Sequence, residues 1–145
     1  MKSFYLALSI LGILSGITQA QDPYFISQPC LSPDAAKIVF SFEGDLWQMD
    51  RLSGQAKRLT AMLGYETGAK FSPDGKWIAF TGRQNGNADV FLISSEGGDI
   101  RQMTFHSAND EMEGWSWDSN EILFRSSRFN SSSVYSLPLE GGNPV

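Results

Sequence analysis

The chain has 145 residues, 41% hydrophobic and 12% aromatic, with acids exceeding bases 16 to 11. This is globular composition of single-domain size, and its acidic balance disfavours a nucleic-acid partner, which needs clustered Lys and Arg to neutralise phosphates. One Cys and one His exclude an intramolecular disulfide, a Cys-based zinc cluster and a two-His metal site, so no catalytic, cofactor-binding or metal-binding residue is expected in this chain.

The first element is an address. Met1-Lys2-Ser3 is a short basic start, Phe4 to Ile17 is apolar, and Thr18-Gln19-Ala20 ends in a small-x-small site. This pattern predicts a signal-peptide helix over 1–20, cut between Ala20 and Gln21. A membrane-spanning helix needs about 20 apolar residues; this run is shorter and carries Ser9, Gly12, Ser15 and Gly16. A lipid anchor would want Cys where Gln21 stands. Residues 21–145 are therefore expected to be exported, to a periplasm or the extracellular space. There Cys30 reads as a small buried apolar residue, with an intermolecular disulfide as the alternative.

The rest of the chain repeats. Ser32-Pro33-Asp34 recurs 40 residues on as Ser72-Pro73-Asp74, and again 44 residues later as Ser116-Trp117-Asp118. An apolar run follows each: Lys37-Ile38-Val39-Phe40, Trp77-Ile78-Ala79-Phe80 and Ile122-Leu123-Phe124. Next come Asp45-Leu46-Trp47, Asp89-Val90-Phe91 and Ser133-Val134-Tyr135, then Gly54, Gly98 and Gly142, then Arg58-Leu59-Thr60 and Gln102-Met103-Thr104. Ser72-Pro73-Asp74-Gly75 suits a type I turn. The apolar runs are too short for helices and rich in Ile, Val and Phe, so they read as strands buried on both faces. A first strand precedes each turn, at about 66–71 and 110–116, and a polar fourth strand runs from Ile100 to Thr104. Four short antiparallel strands every 40 to 44 residues predict an all-β fold of propeller blades.

That architecture assigns each strand an environment. The first lines a central channel. The second and third lie between neighbouring blades. The fourth is an exposed edge, where Lys57, Arg58, Arg101 and Gln102 discourage edge-to-edge pairing. Residues 21–145 hold two complete blades and most of a third, whereas a ring needs about 4–8. The expectation is that the natural protein is longer, and that the third blade exposes Ile122, Phe124, Val134 and Tyr135. Trp47, Trp77 and Trp115 fall on repeated strand positions and read as core. The glycine pairs 97–98 and 141–142 precede no helix and read as turns rather than phosphate loops.

These strings also resemble a known family. Ser-Pro-Asp-Gly-Lys before an Ile-Ala-Phe strand, an aspartate-led Leu-Trp or Val-Phe strand and Arg-Leu-Thr are similar to the repeats of TolB, of tricorn proteases and of propellers on prolyl-oligopeptidase relatives. Glu43-Gly44-Asp45-Leu46-Trp47, Gly64-Tyr65-Glu66, the run from Phe71 to Gly82, and Asp110-Glu111-Met112-Glu113-Gly114-Trp115 leading to Leu123–Arg128 resemble the N-terminal six-bladed propeller of tricorn-type peptidases. The resemblance implies a serine peptidase whose propeller guides or filters peptides or unfolded polypeptide for a catalytic core downstream in the same chain, with a PDZ domain and an oligomer in prospect. The family's catalytic residues match nothing here, so none is carried over. The alternatives are a TolB-like protein-binding module and the propeller of a prolyl-oligopeptidase relative. Ala35, Trp117 and Ser119 depart from the Ser-Pro-Asp-Gly pattern, so their turns are expected to be built otherwise.

Three other groupings have a functional and a plain reading. His106 is the one possible histidine base but sits in an inter-blade loop, where a polar loop residue is the default. Asp110-Glu111-Met112-Glu113 could offer oxygens to a hard cation, but lacks a regular calcium-loop spacing and reads as an acidic loop. Glu66 and Asp110 align at the start of the channel-lining strand. If both face the channel they make it acidic, favouring cationic peptides.

Overall fold

The computed structural model describes residues 26–84, 86–129 and 131–145. The expected signal helix over 1–20 lies outside them. The described residues form eleven strands in three antiparallel sheets. The first sheet is β1 (Ser27–Leu31), β2 (Lys37–Phe42), β3 (Asp45–Asp50) and β4 (Ala56–Arg58), in that order. The second repeats the order with β5 (Glu66–Phe71), β6 (Trp77–Gly82), β7 (Asp89–Ser94) and β8 (Arg101–Gln102). The third holds β9 (Asp110–Trp115), β10 (Glu121–Ser126) and β11 (Ser133–Pro138). These are blades: each meander closes on itself, and the inner strand of one crosses the sheet before it, β5 on β1, β2 and β3, then β9 on β5, β6 and β7.

The third blade also starts its fourth strand. Ser136 and Val145 exchange both backbone hydrogen bonds, at 2.8 and 3.0 Å. This repeats the Leu92–Arg101 rung of the second blade, 44 residues earlier.

Two apolar clusters fill the two seams. Val39, Leu46, Ala69, Phe71, Ile78, Phe80, Phe91 and Ile93 lie between the first and second blades. Ala79, Val90, Leu92, Met112, Ile122, Phe124 and Leu137 lie between the second and third. The middle blade therefore gives alternate residues to opposite neighbours, and β6 and β7 are buried on both faces as the sequence predicts. The third blade differs from expectation. Ile122 and Phe124 are fully buried against the second blade, and it is Val134, 63% exposed, that stands open. Strand alternation sends Ile122 and Phe124 to the seam face of β10 and leaves Leu123 on the other.

All three turns into the second strand are built alike, including those expected to differ. Ser32, Ser72 and Ser116 each accept, through the carbonyl, the amide of the residue three on, at 2.8, 2.9 and 3.1 Å. The residue donating that amide has a left-handed backbone whether it is Ala35, Gly75 or Ser119 (φ 56°, 74° and 65°). In each the Ser hydroxyl donates to the Asp carboxylate at 2.6 Å and accepts the amide five residues on at 2.9–3.0 Å. The same Asp oxygen accepts the amide two residues on. The turn is thus carried by Ser-x-Asp, and Pro and Gly are dispensable.

The outer strands do more than guard an edge. Lys57 donates to the Glu96 carbonyl at 3.0 Å, and Arg101, 44 residues later, donates to the Leu139 carbonyl. Each outer strand thereby ties itself to the next blade.

Candidate functional site

The inner strands enclose a cleft of about 410 Å³ lined by residues of β1, β5 and β9 with Thr81, Arg83 and Arg125. All three inner strands break register where they face it, between Ser27 and Cys30, between Thr67 and Lys70, and at Glu113 opposite the Leu123–Phe124 step. Bulges leave backbone outside the ladder and re-aim side chains. Gln28 and Gly68 adopt left-handed φ there, and the Gly68 amide donates to the Gln28 side-chain oxygen at 2.6 Å.

Charge along the cleft is mixed. Glu111 accepts from Arg83 at 3.1 Å and from Arg125 at 2.7 Å, and Arg125 also reaches Glu113 at 3.0 Å. Lys70 lines the same cleft and has no ion-pair partner among the described residues. Cys30 lines it too, half-buried and unpaired among the described residues.

Glu66 and Asp110 are not in this wall. Both are fully buried, in the seams between blades. That corrects the expected acidic channel: Asp110 shares its face of β9 with buried Met112, while Glu111 and Glu113 take the other. The four residues 110–113 consequently do not converge, and no cluster of three metal-ligating side chains occurs among the described residues. His106 is an exposed loop residue whose Nδ1 accepts the Ala108 amide at 3.0 Å, a local loop closure. Trp115 donates to the Lys70 carbonyl at 3.1 Å and packs with Trp77 against the second seam, and Trp47 lies edge-on to Phe42, in keeping with structural roles.

Each seam holds a buried polar group that sequence reasoning placed elsewhere. In the first, the Thr60 hydroxyl donates to Glu66 Oε2 at 2.8 Å and accepts the Leu46 amide at 2.8 Å, and Arg58 pairs with Asp45 Oδ2 at 2.6 Å. In the second, Thr104 repeats Thr60, accepting the Val90 amide at 2.9 Å and donating to Asp89 at 3.1 Å. Arg128 pairs with Asp110 at 2.8 Å, and its guanidinium lies over the rings of Phe124 and Tyr135. Burial pushes the Glu66 carboxyl up from the ordinary glutamate value, helped by Asp45 and opposed by Thr60 and Arg58. Burial likewise raises Asp89, with Asp110 adding and Thr104 and Asn87 opposing.

A family model for the tricorn protease N-terminal β-propeller domain matches residues 23–145. The chain belongs to that family. Tricorn protease homolog 1 of Streptomyces coelicolor is 28% identical over 131 residues, covering 88% of this chain and 12% of that protein. The crystal structure of the tricorn protease aligns with TM-score 0.76 and 23% identity over 86% of this chain and 13% of the other. TolB from Acinetobacter baumannii aligns with TM-score 0.71 and 24% identity over 83% of this chain and 31% of the other. Those two structures share the propeller fold. The chain spans about a tenth of the length of the curated tricorn relatives it matches.

Proposed function

We propose that this tricorn-family propeller segment belongs to an exported serine peptidase and conducts peptides along its inner wall to a catalytic core outside these 145 residues. The observation that supports the reading is the cleft itself: three inner strands bulge side by side along one mixed-charge groove. With Glu111 shared between two arginines and Lys70 unpaired, the wall suits neutral or acidic peptide segments better than cationic ones. In the full-length protein, Lys70→Glu should raise KM for long acidic peptides several-fold while leaving kcat and the cleavage of tripeptides unchanged, because it removes uniform binding remote from the chemistry. Equal effects on long and short peptides, or none on either, would sink this reading. A TolB-like binding module draws on fold likeness alone, and a full-length protein with no peptidase activity would favour it.

A further inference from the structure

The two seams are built on one plan and differ in where the cation sits. Four positions repeat at 44 residues: Asp45 with Asp89, Arg58 with Gln102, Thr60 with Thr104, and Glu66 with Asp110. A fifth pair is Gln84 with Arg128. Each seam thus has two acids and one arginine, but Arg58 serves the β3 acid in the first seam and Arg128 serves the β9 acid in the second. Each seam leaves one acid without a cation: Glu66 in the first, Asp89 in the second.

Those two leftover acids are not equivalent. Asp89 has donors on both oxygens, Thr104 at 3.1 Å and Asn87 at 3.3 Å. Glu66 has Thr60 on Oε2, while its Oε1 has no donor among the described residues. Asp45 Oδ1, beside it, is also without a donor, since Arg58 occupies Oδ2. The Glu66 amide donates to the carbonyl of Gly44, the residue before Asp45, and the neighbouring Asp45 carboxyl pushes that of Glu66 up. The second seam leaves one such oxygen, Asp110 Oδ1, on an acid that Arg128 pairs, whereas the first leaves two on neighbouring acids, which are costly as anions and which one shared proton satisfies.

We propose that the first seam is a proton lock, in which a protonated Glu66 donates to Asp45 and the loss of that proton loosens β5 from β3 more than any titration of Asp89 loosens the second seam.

The groups around Glu66 fit this. From β3 comes the Asp45 carboxylate, from β4 the Arg58 guanidinium, and from the link the neutral Thr60 hydroxyl. From β6 comes uncharged Gly82, paired with Glu66 in the sheet, and the Arg83 guanidinium beyond it is turned to Glu111. With both acids ionised, one arginine faces two carboxylates. Gln84 stands where the second seam has Arg128 and brings no charge. Because the native state holds this proton more tightly than the unfolded chain does, the seam is most stable at or below the ordinary glutamate value and weakens as pH rises through the native one.

The test is amide hydrogen exchange in the full-length protein, corrected for the intrinsic rate, between about pH 5 and about pH 8. Leu46 and Glu66 amides report the first seam, and their counterparts Val90 and Asp110 report the second. Protection at Leu46 and Glu66 should fall several-fold relative to Val90 and Asp110 across that range. In Glu66→Gln the carboxamide donates to Asp45 and accepts from Thr60 at every pH, so the fall should vanish. A wild-type ratio that does not change with pH overturns the proposal, as does a Glu66→Gln ratio that falls like wild type. The wild-type ratio alone decides if Glu66→Gln does not fold.

Discussion

The two seams share backbone geometry and apolar filling but not electrostatics. Glu66 and Asp110 each donate an amide to the preceding blade, to the Gly44 and Ala88 carbonyls, both at 2.8 Å. Thr60 and Thr104 cap the third strand of that blade in the same way. The arginine moves, and with it the acceptor of the Thr hydroxyl, which is Glu66 for Thr60 but Asp89 for Thr104. In the first seam Arg58 is about half exposed on an outer strand. In the second, Arg128 is 11% exposed against an Asp110 with no exposure at all. A repeat therefore fixes hydrogen-bond register more tightly than it fixes charge: a ladder rung tolerates no displacement, whereas a carboxylate accepts a cation from any side that reaches it.

The largest effect should come from removing the buried arginine. Arg128→Ala leaves the buried Asp110 carboxyl without its partner in the seam and strips a cation from two aromatic rings, so the second seam should lose about 3–5 kcal/mol. Arg58→Ala removes a half-exposed partner and should cost about 1 kcal/mol or less. Exchange protection at Val90 and Leu46 reads each locally. Equal losses would mean that burial does not separate the two seams.

The link between blades separates them next. Gly64 has φ +98°, and a Cβ there would lie 2.0 Å from the Arg83 carbonyl oxygen. Its counterpart 44 residues on is Ala108, outside the left-handed region. Gly64→Ala must therefore displace the link as well as strain its backbone, and should cost about 2–3 kcal/mol. Ala108→Gly should cost well under about 1 kcal/mol. Denaturant midpoints of the propeller transition in the full-length protein check the pair.

How much of this was legible in the sequence follows from the same contrast. The period, the blade order and the turn serine and aspartate were readable because each repeats in register with a backbone requirement. The acidic channel was expected from the alignment of Glu66 and Asp110 at the start of the inner strand, which does not say which face they take; the bulge between Thr67 and Lys70 slips the alternation by one before Glu66, and a slip of one exchanges the faces. One signal was present: Asp110 and Met112 are two apart, and a methionine in a propeller strand belongs to the core, which takes Asp110 with it. Arg58 was readable as an outer-strand residue, but the position of Arg128 was not, because it comes from a hairpin link whose path the repeat does not constrain.

The smallest effects should distinguish the parts of the repeated turn. Ser72 is fully buried, donates to Asp74 and accepts the Trp77 amide at 3.0 Å, so Ser72→Ala should cost about 1–2 kcal/mol. Pro73→Ala touches none of those bonds and changes only unfolded-state freedom, about 0.5 kcal/mol. The Ser hydroxyls, then the backbone amides, hold Asp34 and Asp118 below the ordinary aspartate value, and the Ser72 hydroxyl does the same for Asp74. The turns' contribution is accordingly complete above that value and lost as pH falls beneath it, opposite in sign to the first seam. Ser72→Ala should therefore narrow its gap to wild type in acid, while Pro73→Ala keeps a constant gap at every pH. A Pro73→Ala cost as large as that of Ser72→Ala would return the turn to proline, and leave unexplained why Trp117 serves equally well at the same position of the third blade.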